Sequence, residues 1–262
     1  MSANHKKTIL ALSGFDPSGG AGLQADIETI GALGGHTTPV MTVNTVQNTH
    51  NVDALSPVDV SLFKSQLNKL KTDIQFSAIK IGLIGSIEIA ECIAQFLSEH
   101  PTLPVVLDPV LASGAGNALA TTTLAEYMMS HVIPQVTIIT PNSLEARTLT
   151  HVDGSLQQAG EALLDTGCQY ALITGTHEKE TQVHHRLYHA GTLIDTQSCQ
   201  RLPGEYHGSG CTLASAIAFQ LTQHNDTVSA IHAAQEYTWQ CLEHASAIGQ
   251  GQLIPNRFHQ SQ

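Results

Sequence analysis

The sequence has little charge, few aromatic residues and no long apolar run, and each scarcity excludes a class of protein. Charged residues make up 13% and aromatic residues 5% of the 262 residues, while hydrophobic residues reach 42%, so the chain is globular rather than disordered. No apolar run reaches the ~18 residues of a membrane-spanning helix. Without a repeat, a low-complexity tract or a linker, we expect one domain over residues 1–262 and no membrane partner.

Basic residues are also scarce, with 11 Lys and Arg against 22 Asp and Glu, and the net charge is −11. A nucleic-acid partner is therefore excluded, because no basic stripe is present to release counterions. An anionic substrate must be held by backbone amides, a metal ion and a few chosen side chains. The five cysteines are scattered and form no C-x-x-C pair, which argues against a disulfide framework or a zinc site and predicts a cytoplasmic protein.

Short apolar segments alternate with helical patterns along most of the chain. Strands are predicted over residues 8–14, 38–46, 78–82, 105–108, 136–140 and 170–174. Among the helices between them, one is expected from Pro57 to Leu70 and one over about 119–131. Two later segments, 182–188 and 192–200, predict an antiparallel hairpin. The alternation predicts an α/β fold, a three-layer α-β-α sandwich with a mostly parallel sheet and a late antiparallel hairpin.

A glycine-rich turn precedes a predicted helix in the segment 203–216. Gly208, Ser209 and Gly210 expose successive N–H groups, and the helix N-terminus adds the positive end of its dipole, which together form an anion site. Cys211 lies at that terminus, where the same field lowers the pKa of a thiol and makes it a candidate base or nucleophile. The segment equally fits a plain loop that caps a helix of small residues, with an inert cysteine.

Two carboxylates follow predicted strands. Asp108 ends an apolar strand, and Glu145 lies one helical turn after Asn142. Ligands of a doubly wound sheet bind beyond the carboxyl ends of the strands, so we expect these residues to face one crevice with Cys211. Each carboxylate alone is more often structural, and Glu145 is also placed to cap its helix. Beside an anion site, the pair indicates Mg²⁺, which binds through few carboxylates and phosphate oxygens.

Two other phosphate motifs fail on their context. Residues 20–25 match the dinucleotide fingerprint G-x-G-x-x-A, but five residues separate Gly14 from Gly20, whereas the fingerprint turn follows its strand at once. The second predicted strand also lacks the acidic residue that would bind a ribose. A Walker A loop is excluded, because no Gly-Lys-Ser/Thr follows a glycine run.

Six motifs in order carry a family resemblance. They are G-x-D-P-S-G-G-A-G-x-Q-A-D at 14–26, Q-N-T at 47–49, K-I-G at 80–82, V-L-D-P-V at 106–110, T-P-N-x-x-E at 140–145 and H-G-S-G-C-T at 207–212. Over about residues 8–250, the chain resembles the hydroxymethylpyrimidine/phosphomethylpyrimidine kinases of thiamine biosynthesis, which have a ribokinase-like fold. The last motif is the most specific, because sugar kinases of this fold carry Asp in place of Cys.

The resemblance implies ATP and Mg²⁺ as cofactors, a small pyrimidine as the acceptor, and phosphorylation first of the alcohol and then of its monophosphate. It leaves a homodimer open. The residues that it implies for the pyrimidine pocket are Gly14, Asp26, Gln47, Leu83 and Val110. Those implied for Mg²⁺ are Asp108 and Glu145, and those for the nucleotide are Asn142 and Thr174. The catalytic residue implied is Cys211, with the anion hole formed by Gly208, Ser209 and Gly210.

The chain departs from the family at two lysines. Residues 174–177 read Thr-Gly-Thr-His where the family commonly has Lys-Gly-Gly-His, and residues 111–116 lack the second lysine. Phosphate contact is then expected to depend on amides, Mg²⁺ or Lys179. Two alternatives stay open, a pyridoxine or pyridoxal kinase of the same fold and a non-catalytic binder of pyrimidine or nucleotide. A panel of substrates separates the first, and binding without ATP turnover identifies the second.

Overall fold

In a computed structural model that describes residues 6–112, 116 and 119–261, nine strands form one sheet between two layers of helices. The strands β1 to β9 are Thr8–Phe15, His36–Gln47, Val52–Pro57, Ala78–Ile81, Val105–Leu107, Ile138–Ile139, Tyr170–Ile173, Gln182–His189 and Thr192–Gln200. The helices α1 to α8 are Gly22–Ala32, Val60–Lys71, Ile87–Ser98, Thr122–Tyr127, Ser143–Thr150, Leu156–Asp165, Ser209–Gln220 and Thr227–Glu243.

The strand order is β3-β2-β1-β4-β5-β6-β7-β8-β9. From β2 to β7 in this order, neighbouring strands are parallel. The strands β8 and β9 add an antiparallel hairpin at one edge, and β3 pairs antiparallel with β2 at the other. The predicted mostly parallel sheet with a late antiparallel hairpin is confirmed.

The strand β3 was missed by the sequence analysis, which placed a helix start at Pro57. Pro57 instead ends β3, an edge strand that tolerates a residue without an N–H donor. The helix α2 begins at Val60, because the carboxylate of Asp59 caps it by accepting the N–H of Leu62 at 2.8 Å. An N-cap carboxylate satisfies one of the N–H groups that the first turn of a helix leaves without a partner, and this marks the helix start.

An apolar core lies on each face of the sheet. Along β1, Leu10 and Leu12 pack in the core formed with α2 to α6, whereas Ile9 packs in the core formed with α1, α7 and α8. Side chains of a strand alternate between faces, and strands buried on both sides are therefore apolar throughout. Because helices cover both faces, the carboxyl edge of the sheet is left to the connecting loops.

The helix expected over about 119–131 is divided. The helix α4 begins after Thr121, whose hydroxyl accepts the N–H of Leu124, and it continues as a π-helical turn, Met128–Val132. Residues 113–115, which belong to the segment 111–116 that lacks a family lysine, lie outside the described residues. Within the described part of the chain, no helix combines the length and apolarity needed to span a bilayer.

Candidate active site

The loops at the carboxyl edge of the sheet surround one crevice beside the start of α7. Its volume is about 2060 Å³, well above the roughly 300–1,000 Å³ of a pocket for one small ligand. The crevice therefore has room for two ligands side by side. The predicted site residues that line it are Gly14, Gln47, Leu83, Asp108, Val110, Asn142, Glu145, Thr174, Gly208, Ser209, Gly210 and Cys211.

The start of α7 is held against the loop between β1 and α1. Gly208, the N-cap residue of α7, has a left-handed φ of +79°, and a Cβ there would lie 2.0 Å from the carbonyl oxygen of Gly20. Glycine is thus required at this close approach. The first N–H groups of α7 have no partner within the helix, and with the helix dipole they provide the donors that an anion needs.

Cys211 differs from the expectation of a reactive thiolate. Its sulfur accepts the N–H of Gly22, and its thiol donates to the carboxylate of Asp108. Burial raises the pKa of Cys211 to about 12; the charge of Lys80 opposes this shift, and the charges of Asp108 and Asp26 add to it. The predicted lowering of the thiol pKa was therefore wrong, because it considered the helix field without desolvation and neighbouring carboxylates. At neutral pH, Cys211 is a neutral thiol.

Glu145 both caps α5 and lies beside Asp108. Its carboxylate accepts the N–H of Asn142 at 2.9 Å and that of Leu111 at 3.3 Å, while the side-chain oxygen of Asn142 accepts the N–H of Glu145 at 2.9 Å. Burial, reinforced by the charge of Asp108, raises the pKa of Glu145 to about 8. Burial also raises the pKa of Asp108 to about 6, although Lys80 opposes the shift.

This carboxylate pair fits a divalent cation that phosphate oxygens help to bind. Among the described residues, no group of three or more His, Cys, Asp and Glu side chains could hold a metal ion. Mg²⁺ does not require one, because it keeps several waters and binds through one or two carboxylates plus phosphates. Asp108 is the candidate direct ligand, since both oxygens of Glu145 already accept backbone N–H groups.

Asp26 lies beneath the crevice and is fully buried, so the expectation that it lines the pyrimidine pocket is corrected. One of its carboxylate oxygens is 2.8 Å from the ammonium of Lys80 and accepts the hydroxyl of Ser215 at 2.6 Å. Lys80 is equally buried and donates to Ser13 at 3.0 Å. Because the carboxylate is occupied by a buried ion pair, Asp26 supports the floor of the site rather than its wall.

Asp16 joins three loops, although no role in the site was predicted for it from the sequence. It accepts the N–H groups of Ser18 and Ala21, each at 2.8 Å, and the ring Nε2 of His207 donates to it at 2.8 Å. Burial opposes its ionisation, but hydrogen bonds from His207, Gln47 and Ser18 outweigh burial and hold the pKa of Asp16 well below its usual range. Asp16 therefore links the loop before α7 to the end of β2.

Gln47 is oriented by that carboxylate. Asp16 can only accept hydrogen bonds, so the side-chain amide of Gln47 donates one N–H to it. The amide oxygen and the second N–H remain for another partner. The loop that follows is closed without Gln47, because the side chain of Asn48 accepts the N–H groups of His50 and Asn51 at 2.8 and 3.1 Å.

At the other end of the crevice, the positive side chains are arginines. Lys179, expected near the phosphates, is exposed and does not belong to the crevice wall. Arg147 lines the wall and forms a 2.8 Å ion pair with Glu178. Arg201 lines it too and donates to the carbonyl oxygens of Thr176 at 2.7 Å and Glu178 at 3.0 Å. Both arginines thus hold the loop after β7.

Three polar side chains at this end were not found from the sequence. His185 of β8 and Gln197 of β9 lie opposite each other in the hairpin, and Gln235 lies on α8. All three line the crevice, and in each a buried polar atom lacks a partner among the described residues, namely Nδ1 of His185, Oε1 of Gln197 and Oε1 of Gln235. Only the register of the hairpin could have shown that two of them are neighbours.

Comparisons with known proteins agree on one family. A family model described as phosphomethylpyrimidine kinase matches residues 16–256. The chain is 33% identical over 260 residues to the hydroxymethylpyrimidine/phosphomethylpyrimidine kinase of Haemophilus influenzae, with 96% of this chain and 97% of that protein covered.

Solved structures give the same fold. The ADP complex of Bacillus subtilis pyridoxal kinase superposes with a TM-score of 0.89 at 26% identity and covers 98% of this chain and 99% of its own. The phosphomethylpyrimidine kinase of Clostridium difficile 630 superposes with a TM-score of 0.79 at 30% identity, covering 90% of this chain and 100% of its own. The fold implied by the motif resemblance is thereby confirmed.

Proposed function

This chain belongs to the phosphomethylpyrimidine kinase family, and on that premise we propose that it phosphorylates 4-amino-5-hydroxymethyl-2-methylpyrimidine with ATP, and then phosphorylates the monophosphate to the diphosphate. The observation that carries the proposal is that one crevice is lined by an oriented side-chain amide, by the first N–H groups of α7 and by a buried carboxylate beside a thiol. These groups are Gln47, the amides of residues 209–211, and Asp108 with Cys211.

The acceptor is assigned to the part of the crevice between Gly14, Leu83 and Val110. An aminopyrimidine presents a ring nitrogen that accepts and an exocyclic amine that donates. The amide oxygen and the second N–H of Gln47 match this pair of groups. The hydrogen bond to Asp16 fixes the direction of the amide before the substrate binds, so little ordering remains to be done on binding.

The transferring phosphoryl group is assigned to the amides at the start of α7. Phosphoryl transfer depends mainly on alignment and on stabilising charge, and preorganised N–H groups supply both at fixed positions. Asp108, with Glu145 beside it, would hold Mg²⁺, and the ion would neutralise charge on the phosphate oxygens. The acceptor end of the crevice thus needs no lysine for charge stabilisation.

Cys211 is assigned a positioning and proton-passing role rather than that of a thiolate base. Its thiol donates to Asp108, and its sulfur can accept the hydrogen bond of the substrate hydroxyl. As the hydroxyl oxygen attacks phosphorus, its proton passes to sulfur while the thiol proton passes to the carboxylate of Asp108.

The nucleotide base is assigned to the hairpin end, beyond Asn142 and Thr174. There, His185, Gln197 and Gln235 each carry a buried polar atom that no described residue pairs with, and the edge of a base could satisfy these atoms. We place the enzyme in the cytoplasm, in keeping with its five free cysteines. A homodimer stays a prediction, which light scattering of the purified protein tests.

The proposal is tested by ADP release from the purified protein with ATP and Mg²⁺. We expect turnover with the pyrimidine alcohol and with its monophosphate, and much lower kcat/KM with pyridoxine and pyridoxal. The likeness to pyridoxal kinase makes those substrates the necessary comparison. Turnover of pyridoxal alone would replace the proposal with the pyridoxal kinase alternative, and binding of the pyrimidine without turnover would leave a non-catalytic binder.

A further inference from the structure

The C-terminal segment, residues 246–257, packs against the crevice loops through its backbone. On one side, the N–H groups of Gly251 and Gln252 donate to the hydroxyl and carbonyl oxygens of Thr49, at 3.1 and 2.9 Å. The approach is so close that a Cβ on Gly251 would lie 2.2 Å from the carbonyl oxygen of Thr49. This segment therefore holds the loop that follows β2 and Gln47.

On its other side, the same segment holds the loop before α7. Leu253 donates its N–H to the carbonyl oxygen of Glu205 at 2.9 Å, and its own carbonyl oxygen accepts the N–H of His207 at 2.9 Å. Gly208 follows directly and caps α7. The C-terminal segment thus bridges the acceptor side of the crevice and the anion site.

Arg257 completes this bridge from inside the protein. Its side chain is 1% exposed, which is unusual for an arginine. The guanidinium donates to the carbonyl oxygen of Gly20 at 2.5 Å, to the carboxylate of Glu28 at 2.9 Å and to the hydroxyl of Thr212 at 3.0 Å. Its acceptors belong to the β1–α1 loop, to α1 and to α7, so one side chain ties three elements together.

The carbonyl group of Gly20 is the contact point between the two loops. On one side its oxygen accepts a hydrogen bond from the guanidinium of Arg257. On the other side it lies so close to Gly208 that a Cβ there would be 2.0 Å away. The planar fork of an arginine can reach three acceptors in fixed directions, which a lysine cannot do. The side chain therefore sets how far the β1–α1 loop lies from the first amides of α7.

We propose that Arg257 is a positioning residue for phosphoryl transfer. Its side chain fixes the distance between the β1–α1 loop, residues 16–21, and the anion site at the start of α7. This inference rests on the proposed kinase function. The affinity for either ligand alone depends little on that distance. The rate of phosphoryl transfer depends on it strongly, because the reacting atoms must approach to about 3–3.5 Å, and a misplacement of about 1 Å can cost about a hundredfold in rate.

The test replaces Arg257 in the full chain and separates turnover from binding. For Arg257→Met, which keeps the length of the side chain but no donor, we expect kcat to fall about 10- to 100-fold. The Kd values of the pyrimidine and of a non-hydrolysable ATP analogue, each measured alone by calorimetry, should change less than about threefold. Arg257→Lys, which retains the charge facing Glu28, should give an intermediate kcat.

The matched control is Tyr237→Phe. The hydroxyl of Tyr237 donates to the carbonyl oxygen of Arg257 at 2.7 Å, so this variant loosens the same segment and leaves the guanidinium in place. We expect a comparable loss of Tm with kcat within about twofold of the wild type, all assays being made well below both Tm values. Equal losses of kcat in the two variants would overturn the proposal.

A second variant decides the matter if Arg257→Met does not fold. Glu28→Gln keeps an acceptor for Arg257 but removes the charge, and we expect a smaller loss of kcat with both Kd values unchanged. An unchanged kcat, or Kd values that weaken as much as kcat falls, would overturn the role of Arg257. Failure of the kinase proposal is seen separately, as wild-type protein that turns over neither pyrimidine. The comparison of variants then uses whichever acceptor the wild type does phosphorylate.

Discussion

The two ends of the crevice are built differently. At the acceptor end, Asp16 receives hydrogen bonds from several loops, and Arg257 has a partner for each nitrogen of its guanidinium. At the hairpin end, polar atoms of His185, Gln197 and Gln235 are buried without partners among the described residues. A satisfied network is rigid before any ligand arrives, whereas unpaired buried groups gain most when a ligand pairs them. The acceptor end is therefore preorganised, and the hairpin end is completed by the nucleotide.

The largest expected effect tests the acceptor end at its charged centre. Asp108→Asn should lower kcat about 10²- to 10³-fold and raise the Mg²⁺ concentration needed for half-maximal rate far more than the KM of the pyrimidine. The neutral amide would bind the cation poorly and could not take the thiol proton of Cys211. ADP release over a series of Mg²⁺ concentrations measures both effects. An unchanged Mg²⁺ dependence would make Asp108 a structural residue.

The second-largest effect tests whether the side-chain amide of Gln47 distinguishes the pyrimidine from other acceptors. Gln47→Leu should lower kcat/KM for the pyrimidine about 10- to 100-fold and narrow its advantage over pyridoxine. Pyridoxine lacks the ring-nitrogen and amine pair that the amide would meet, so it loses less. The ratio of the two kcat/KM values is the measurement. If both substrates lost activity in the same proportion, Gln47 would only support its loop.

A moderate effect on ATP binding is expected at the hairpin end, where we infer that the nucleotide completes the site. Gln235 is 7% exposed, and its Oε1 atom has no partner within the described part of the chain. Gln235→Leu should raise the KM for ATP about tenfold, because a hydrogen bond to the base is lost. The Tm of the ligand-free protein should stay the same or rise, since no internal bond to Oε1 is removed. A lower Tm with an unchanged KM for ATP would show that Gln235 supports the fold and does not bind the nucleotide.

The smallest effect concerns stability and pH at Glu145. The pKa of this group rises from 4.5 to about 8 on folding, so across that window the folded chain holds a proton that the unfolded chain has lost. The free energy of unfolding should therefore fall as pH rises from about 5 to 8 without Mg²⁺. Glu145→Gln should flatten this fall by about 1–3 kcal/mol, as measured by urea unfolding. Equal slopes for both proteins would contradict the shift.

Several features of the fold and site could be predicted because they depend on local patterns. The hairpin of β8 and β9 was evident from strand patterns joined at Gly191. A glycine turn before a helix over residues 212–221 was also predicted, and α7 begins three residues earlier, at Ser209. The edge strand β3 could not be predicted in the same way, because its residues are mostly exposed and show no apolar alternation. Its existence depends on pairing with β2, which lies outside any local window.

The chemistry of single side chains likewise depends partly on local sequence and partly on tertiary contacts. The sequence by itself determined which residues would lie at the carboxyl edge of the sheet, because short apolar runs and the turn residues after them mark where each strand ends, and ligands of such sheets bind beyond those ends. Only the tertiary structure decided that Asp26 is paired with Lys80 under the floor, that Cys211 is a neutral thiol, and that Arg257 reaches Gly20 from the far end of the chain. Ionisation and hydrogen bonding depend on burial and on neighbours distant in sequence, and these exist only once the chain is folded.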